Sequence, residues 1–278
     1  MSGLDFLSEM ARRSDERVRI ARAREPEPAL HRRAMDTPVP SVLALNGFDV
    51  IAELKLRSPA AGSLQDREFD RTAQIRAYAT GGACAVSVLT EPSEFHGELS
   101  DLQEAALTLK DSDVPVMRKD FLTQPYQLLE ARAAGAGGAL IIVTMLDDAI
   151  VRELLDCAQE LGLFVLLEGF SNEDLDRIAE LSGNADPTRV LAGVNSRNLK
   201  NLQVDFSRFG MLASGLPGNL RCVAESGVAS PEDVTTVAGL GYRLALIGSA
   251  LMTSGEPLQR LQSFIAAGRR VVTAQTPS

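Results

Sequence analysis

Eight short apolar runs, each followed by a stretch of helical spacing, recur along the chain from residue 48 onwards. Apolar runs of this length, bounded by turn residues, are typical of strands buried on both faces. The predicted strands cover residues 48–55, 83–89, 114–119, 139–143, 163–168, 190–195, 220–225 and 244–248. The predicted helices cover residues 69–80, 99–109, 126–134, 147–161, 172–181, 206–213, 231–238 and 257–267. Eight strand–helix units of roughly 25 to 30 residues each predict an α/β fold, a single (β/α)8 TIM barrel.

The main alternative is a doubly wound open sheet, which usually has fewer strands and a glycine-rich turn after the first one. The first predicted strand instead runs into Lys55-Leu56-Arg57-Ser58-Pro59, which contains neither a GxGxxG nor a GK[ST] phosphate-binding motif. The length of 278 residues also suits one barrel. We therefore predict one barrel domain over residues 48–270.

The segment before the barrel begins with an amphipathic stretch over residues 4–24, where Leu4, Leu7 and Met10 recur at helical spacing. A dense run of arginines follows, which is typical of a solvated helix face. Four prolines then indicate an irregular connection, namely Pro26, Pro28, Pro38 and Pro40. We expect residues 1–47 to form an N-terminal helical extension packed on the barrel, and residues 271–278 to form a tail.

Composition excludes several classes of protein. The net charge of -9 argues against a nucleic-acid partner. The three cysteines form no CxxC pair, so neither a disulfide framework nor a zinc site is indicated. Asp5 and Glu9 interrupt any signal-peptide-like stretch, and no apolar run reaches membrane-spanning length. We therefore expect a cytoplasmic protein without a membrane partner, either a monomer or a weak homodimer.

Polar residues collect where the predicted strands end. They are Glu53, Lys55, Ser58, Thr90, Glu91, Lys119, Glu168, Asn195, Arg197, Glu225 and Ser226. The carboxyl ends of barrel strands meet at one face, where barrel enzymes place their active sites. Lysine and glutamate side chains brought together there suit proton transfer, because close charges and partial burial shift pKa values. The structural alternative is a set of ion pairs that only closes the barrel mouth.

Glycines mark the loops after the seventh and eighth predicted strands. These loops often bind phosphate in barrels, through backbone N–H groups and a short helix N-terminus. Gly227 follows Glu225-Ser226, and Gly248 precedes Ser249. A turn would explain either glycine alone, but their occurrence in both loops favours a phosphate site made by Gly227, Gly248 and Ser249. The expected partner is therefore a phosphorylated small molecule.

The strand ends and their loops form an ordered set of motifs. In chain order they are Ile51-Ala52-Glu53-Leu54-Lys55 with Ser58-Pro59, Ser87-Val88-Leu89-Thr90-Glu91, Phe95-His96-Gly97, Arg118-Lys119-Asp120-Phe121 with Pro125-Tyr126-Gln127, Gly193-Val194-Asn195-Ser196-Arg197-Asn198-Leu199, Ala224-Glu225-Ser226-Gly227 and Leu246-Ile247-Gly248-Ser249-Ala250-Leu251-Met252. From about Phe48 to its end, the chain resembles the indole-3-glycerol phosphate synthase family of tryptophan biosynthesis. Each motif is modest by itself, and the ordered set is highly specific.

The resemblance implies a lyase that closes an indole ring on 1-(2-carboxyphenylamino)-1-deoxyribulose 5-phosphate, with loss of carbon dioxide and water. The family uses no cofactor and no metal. By position, Lys119 would be the general acid at the substrate carbonyl. Lys55 would contact the substrate carboxylate and act as a second acid, and Glu168 would carry out the other proton transfer.

The remaining matched positions imply binding roles. Glu53, Asn195, Glu225 and Ser226 would hold substrate hydroxyls or the lysines. Ser58, Gly227, Gly248 and Ser249 would take the phosphate. The anthranilate ring would be walled by Phe95, Phe121, Leu140, Ile142, Leu199 and Leu202. Arg197 would lie at the rim, as a substrate contact or as a member of an ion pair.

The chain departs from the family pattern beside these positions, at Leu56, Ala60, Glu98 and Gly169-Phe170. Such changes bear on affinity or on the identity of the substrate. One alternative is therefore a paralogue that acts on a related phosphorylated substrate in a specialised pathway. Another is a non-catalytic sugar-phosphate-binding barrel, which the presence of Lys55, Lys119 and Glu168 disfavours.

Overall fold

The computed structural model describes residues 3–55, 57–58, 62–63, 70–183, 185–199, 201 and 203–275, with the backbone alone for 3–4, 57–58 and 62–63. In chain order the elements are α1 (Gly3–Arg24), α2 (Glu27–Asp36), β1 (Asp49–Leu54), β2 (Arg57–Ser58), β3 (Gly62–Ser63), α3 (Arg71–Thr80), β4 (Ala85–Leu89), α4 (Leu99–Thr108), β5 (Val116–Lys119), α5 (Pro125–Ala133), β6 (Gly138–Ile142), α6 (Asp148–Glu160), β7 (Phe164–Gly169), α7 (Asn172–Leu181), β8 (Val190–Asn195), α8 (Arg208–Leu212), β9 (Arg221–Glu225), α9 (Pro231–Gly239), β10 (Leu244–Ile247), α10 (Ser249–Met252) and α11 (Pro257–Gln275). Two short 3-10 helices lie at Val143–Met145 and Ala213–Gly215.

Eight parallel strands close into a barrel in the order β1, β4, β5, β6, β7, β8, β9, β10 and back to β1. The closing pair aligns Asp49 of β1 with Leu244 of β10, and on its other side β1 aligns Ile51 with Ala85 of β4. The predicted (β/α)8 barrel is confirmed. The alternative open sheet is excluded, because every strand of this set has a hydrogen-bonded neighbour on both sides.

Alternation along the strands divides the core into two parts. Successive side chains of a strand point to opposite faces, so Val50 and Ala52 of β1 pack outward against the helices while Ile51 points inward. Inward residues from all eight strands belong to one apolar cluster, among them Ile51, Ala85, Met117, Leu140, Leu166, Leu191, Val223 and Leu244. This cluster fills the barrel interior, and its upper layer forms the floor beneath the mouth.

The charged residues of the mouth lie one step above this layer. Glu53, Lys119, Glu168 and Glu225 each follow an inward apolar residue of the same strand by two positions. The alternation of the strand therefore turns each of them into the barrel. Their side chains lie between the apolar floor and the loops at the carboxyl ends of the strands, which is the geometry that the sequence pattern predicts.

The N-terminal helices pack near β5 and α5, with α1 against the loops at the barrel mouth and α2 outside the barrel. Arg17 of α1 donates to the buried carboxylate of Asp120, with 2.7 Å between Nη2 and Oδ1. Ser14 of α1 donates to the carbonyl oxygen of Phe121. Helix α2 packs against α5, and its Leu30 is fully buried. None of the helices in the described residues has the length and apolar content to span a membrane.

Helix α2 corrects one expectation from the sequence. The region of Pro26 and Pro28 was expected to be irregular, whereas α2 begins at Glu27, directly after Pro26. Proline is tolerated in the first turn of a helix, because the N–H groups there have no partner within the helix. The expectation holds only for the segment after Asp36, which contains Pro38 and Pro40.

Other boundaries differ by smaller amounts. Helix α11 continues past the predicted end at residue 267 to Gln275, and residues 276–278 lie outside the described residues. The short antiparallel pair of β2 and β3 was not predicted. Leu56 and Ala60, two of the departures from the family pattern, also lie outside the described residues.

Candidate active site

A cavity of about 330 Å³ opens at the carboxyl ends of the barrel strands. The predicted site residues that line it are Glu53, Lys55, Phe95, Lys119, Phe121, Leu140, Ile142, Glu168, Asn195, Arg197, Leu199, Glu225, Ser226, Gly227, Gly248 and Ser249. Ser58 belongs to β2, but its side chain lies outside the described residues, as does the whole of Leu202. The fold thus brings together side chains from all eight barrel strands and from the loops that follow them.

Lys119 is the centre of the charged group in the cavity. Its Nζ atom donates to Oε2 of Glu225 at 3.2 Å and to Oε2 of Glu168 at 3.4 Å. The lysine side chain is 15% exposed, whereas those of Glu168 and Glu225 are only 3% and 1% exposed. A single ammonium therefore faces the cavity from between two buried carboxyl groups.

The surroundings raise the pKa of both Lys119 and Glu225, which favours the charged form of the lysine and the neutral form of the glutamic acid. Burial would lower the pKa of the Lys119 ammonium, but the surrounding carboxyl groups outweigh burial and raise that pKa. The largest contributions come from Glu225, Glu168 and Glu53. Burial raises the pKa of Glu225 well above its usual value, and the Glu168 carboxylate raises it further. The Lys119 ammonium opposes both effects and lowers the pKa of Glu225 in part.

A second lysine–glutamate pair comes from β1. Lys55 Nζ lies 2.9 Å from Glu53 Oε1, with the lysine 15% and the glutamate 5% exposed. Burial would raise the pKa of Glu53, but the charges of Lys55, Lys119 and Arg197 together lower it. Glu53 is therefore an anion at neutral pH and connects the two lysines electrostatically.

Two glycines leave the space that these carboxylates occupy. A Cβ atom on Gly193 of β8 would lie 2.1 Å from Glu225 Oε1, and one on Gly248 would lie 2.5 Å from Glu53 Oε1. Both distances are well below normal contact. The glycine at 248, which the sequence indicated only as a phosphate-loop residue, thus also makes room for Glu53.

The loop after β9 has an unusual backbone. Ser226 has a φ of 67° and Gly227 a φ of 83°, so a serine and a glycine follow one another in the left-handed region. The Ser196 hydroxyl donates to the Ser226 carbonyl oxygen at 2.9 Å. In the neighbouring β8 loop, Asn195 Oδ1 accepts from the Arg197 N–H at 3.0 Å. A non-glycine residue at positive φ is costly and occurs most often at functional sites.

Aromatic rings form one wall of the cavity. Phe121 packs edge-on against Phe6, with ring centroids 5.9 Å apart, and lies 6.2 Å from Phe95. Phe6 and Leu7 of α1 were not predicted as site residues, and neither was Phe170. The helical spacing of Leu7 indicated only that it is buried, because a helix pattern does not reveal which part of the barrel the helix covers.

The departures from the family pattern have different surroundings. Glu98 caps α4, where it forms a reciprocal capping box with Asp101. Gly169 ends β7, and Phe170 follows it as a 5% exposed side chain that lines the cavity. Of these residues, Phe170 is the one that faces the space where a ligand would bind.

The site is equipped for acid–base chemistry on an anionic, partly apolar ligand. It combines two largely buried ammonium groups, three buried carboxyl groups and an aromatic wall. The contacts between the ammonium and carboxyl groups are suited to proton transfer, and the ammonium groups are suited to binding of negative charge. Within the described part of the chain, no three His, Cys, Asp or Glu residues are grouped so as to hold a metal ion.

Solved structures of low sequence similarity share the fold. A thiamine phosphate pyrophosphorylase from Pyrococcus furiosus superposes with a TM-score of 0.57 at 13% identity, covering 81% of this chain and 97% of that chain. A mandelate oxidase variant also gives a TM-score of 0.57, at 16% identity, with 84% of this chain and 79% of that chain covered. At such identities the likeness extends to the barrel alone.

Closer relatives have one name in common. The indole-3-glycerol phosphate synthase of Mycolicibacterium vanbaalenii is 40% identical over 230 residues, which cover 83% of this chain and 81% of that protein. The indole-3-glycerol phosphate synthase of Mycobacterium leprae is 39% identical over 237 residues, covering 84% of each. The model of the indole-3-glycerol phosphate synthase family matches residues 11–264. The resemblance found in the motifs is thereby confirmed, and this chain belongs to the indole-3-glycerol phosphate synthase family.

Proposed function

We propose that this protein is an indole-3-glycerol phosphate synthase, a carboxy-lyase of tryptophan biosynthesis. It closes the ring of 1-(2-carboxyphenylamino)-1-deoxyribulose 5-phosphate and releases carbon dioxide and water. The observation that carries this proposal is the Lys119 ammonium, hydrogen-bonded to Glu168 and Glu225 at the bottom of a cavity with an aromatic wall. A protonated lysine held among carboxyl groups is a suitable general acid for a carbonyl oxygen.

The first step forms the carbon–carbon bond. The ring carbon that carries the carboxylate attacks the ribulose carbonyl carbon, and the electron pair of the carbonyl moves to its oxygen. Lys119 donates a proton to that oxygen, which becomes a hydroxyl group. The raised pKa of Lys119 keeps the proton available at neutral pH, and the nearby carboxyl groups stabilise the ammonium before transfer.

The later steps need one more acid and one base. Loss of carbon dioxide returns the bonding electrons to the ring, and the new hydroxyl then leaves as water while the adjacent carbon loses a proton. We assign the acid to Lys55, which also contacts the substrate carboxylate before it departs, and the base to Glu168. Glu53, which contacts Lys55 at 2.9 Å, orients that lysine together with Asn195.

The two ends of the substrate differ in polarity, as do the walls of the cavity. We place the anthranilate ring against the apolar wall of Phe95, Phe121, Leu140, Ile142 and Leu199. We place the phosphate at the loops of Gly227, Gly248 and Ser249, while Glu225 and Ser226 bind the hydroxyl groups. The family resemblance alone assigns Leu202 to the ring and Ser58 to the phosphate. The backbone of Ser226 and Gly227 in the left-handed region supports this placement, because such turns direct successive N–H groups toward an anion.

One assay tests the reaction. Purified protein is incubated with the ribulose phosphate substrate, and the appearance of indole fluorescence is followed over time. The chain contains no tryptophan, so the product is observed without an indole background from the protein. Absence of turnover by folded protein would reject this function. It would favour a paralogue with a related phosphorylated substrate, for which Phe170 in the cavity wall is the most direct structural reason.

Binding is expected to depend on the phosphate group. A substrate analogue without the 5′-phosphate should bind at least about tenfold more weakly, because hydrogen bonds to a charged group contribute about 1.5–3 kcal/mol. Inorganic phosphate should compete with the substrate in steady-state kinetics. Equal dissociation constants for the phosphorylated and dephosphorylated ligands would contradict the assignment of Gly227, Gly248 and Ser249.

Gly193→Ala is expected to lower kcat while changing stability little. The new Cβ would overlap Glu225 Oε1, and a flexible carboxylate can swing away at small cost, but it then leaves Lys119. A displacement of about 1 Å in a catalytic group can cost up to about 10²-fold in rate. The matched control is Gly239→Ala in α9, where no atom lies within 4 Å of the added Cβ. Equal kcat values for these two variants would contradict the positioning of Glu225.

We further propose that the enzyme works in the cytoplasm as a monomer or weak homodimer. Sedimentation of the purified protein across a range of concentrations measures the oligomeric state.

A further inference from the structure

We propose that Glu91 is a positioning residue, which holds the loop between β4 and α4 in the shape that places Phe95 against the substrate ring. This role rests on the proposed function, because the ring in question is that of the synthase substrate. Glu91 lies two residues after the end of β4, yet it does not line the cavity. It would therefore act through Phe95 and not through contact with the substrate.

The Glu91 carboxylate is the centre of its loop. The residue is 1% exposed, and each of its two oxygens accepts two hydrogen bonds. Oε1 accepts from the Ser93 N–H at 2.9 Å and from the Ser93 hydroxyl at 2.5 Å. Oε2 accepts from the N–H of Glu94 at 2.7 Å and from that of Phe95 at 3.3 Å. Three successive backbone N–H groups therefore point at one buried side chain.

After Phe95, the backbone of the loop returns to the end of β4. The Gly97 N–H donates to the Glu91 carbonyl oxygen at 2.9 Å, which closes the loop on itself. A Cβ on Gly97 would lie only 2.1 Å from the Leu89 carbonyl oxygen, so the chain passes directly over the end of β4. Phe95 lies between these two anchors, and its ring is half-buried beside Phe121.

Helix α1 holds the same loop from outside. Arg13 donates to the Ser93 hydroxyl at 3.0 Å and to Glu94 Oε1 at 3.1 Å. The Arg13 side chain is exposed to solvent, and ion pairs of exposed side chains contribute little to stability. The buried carboxylate is therefore the stronger of the two constraints on the loop.

The loop requires a carboxylate and not merely a polar side chain. All four groups that face the two oxygens are donors, and an ionised carboxylate offers only acceptors. The amide of glutamine would direct its own N–H groups at donors from the loop. Glu91→Gln is therefore expected to release part of the loop and to leave partly buried N–H groups without an acceptor.

A released loop should affect binding more than chemistry. If only a fraction of the free enzyme holds Phe95 in place, the apparent affinity is the intrinsic affinity multiplied by that fraction. We expect Glu91→Gln to raise KM about tenfold, because leaving a partly buried donor without an acceptor changes an equilibrium by about this factor. We expect kcat to stay within about twofold, because the bound substrate restores the loop and Lys119 is unchanged.

Steady-state kinetics of a double-mutant cycle tests whether Glu91 acts through Phe95. Phe95→Ala should raise KM by itself, and Glu91→Gln should add little to KM in that background. The matched control is Asp186→Asn at the opposite end of the barrel, where a carboxylate accepts from the N–H and hydroxyl of Thr188 in the same way. This control should leave KM unchanged. Additive effects of the two site mutations, or a fall in kcat with unchanged KM, would overturn the role of Glu91.

A second readout does not depend on turnover. Phe95→Trp introduces the only tryptophan of the chain, so its emission reports on position 95 alone. Adding Glu91→Gln should shift this emission to longer wavelength and increase its quenching by iodide, whereas adding Asp186→Asn should do neither. Unchanged emission and quenching would overturn the inference even if the enzyme is active. If no variant and no wild-type protein turns over substrate, the proposed function fails, and the emission still decides the role of Glu91 in the loop.

A shorter carboxylate covers the case in which Glu91→Gln does not fold. Glu91→Asp keeps both acceptor oxygens but withdraws them by one methylene group. It should raise KM and iodide quenching in the same direction by a smaller factor. A folded Glu91→Asp variant with wild-type KM and emission would overturn the inference.

Discussion

Replacement of Lys119 by methionine is expected to lower kcat by a factor of about 10² to 10⁴, the usual contribution of a positioned proton donor. Methionine is similar in length and unbranched, so it fills the same space without an ammonium. The fold should persist, because Lys119 lowers the pKa of Glu225 and its removal raises that pKa further. Glu225 would then be buried as a neutral group and not as an unpaired charge.

The measurement is the rate of indole formation at saturating substrate, together with the thermal unfolding midpoint. Lys110→Met is the matched control, since it makes the same substitution at an exposed lysine at the end of α4. The control should retain wild-type kcat. A folded Lys119→Met variant with near-normal kcat would remove Lys119 from the role of general acid.

Glu168→Gln is expected to reduce kcat by about 10²-fold while KM changes by no more than about threefold. A group that moves a proton acts mainly in the transition state, so its loss affects rate before affinity. Glutamine can still accept a hydrogen bond from Lys119, which preserves the shape of the site. It also removes a charge that raises the pKa of Glu225, so the pKa of Glu225 should fall.

Steady-state kinetics separates the two parameters, and a pH profile of the residual activity reports on Glu225. Glu173→Gln is the control, because it makes the same change at an exposed position in the first turn of α7. A Glu168→Gln variant in which KM rises and kcat holds would make Glu168 a binding residue.

The barrel itself was predictable from local pattern. Apolar runs separated by amphipathic stretches determine strands and helices at short range, and eight such units allow few arrangements other than closure. The two-residue alternation also predicted that Glu53 and Lys55 point to the same side of β1. The second helix was missed, because Pro26 and Pro28 suggest irregular backbone unless they stand at a helix start.

The residues of the site were also predictable as a set, but the hydrogen bonds between them were not. Motif order indicated Lys119, Glu168 and Glu225. In the chain, however, Lys119 is 49 positions from Glu168 and 106 positions from Glu225. The hydrogen bonds between them depend on how strands β5, β7 and β9 face one another across the barrel. That relation follows from closure and register and is not written in any local stretch.

The sequence by itself determined the (β/α)8 class, the rim on which polar residues collect and the family to which the chain belongs. All three follow from short-range periodicity and from residue identities at strand ends. Tertiary structure alone decided that Phe6 of α1 joins the aromatic wall, that Gly193 makes room for Glu225, and that Glu91 accepts hydrogen bonds from the loop of Phe95. These contacts join groups that become neighbours only after folding. The burial and the orientation of each side chain therefore had to be known before its role could be inferred.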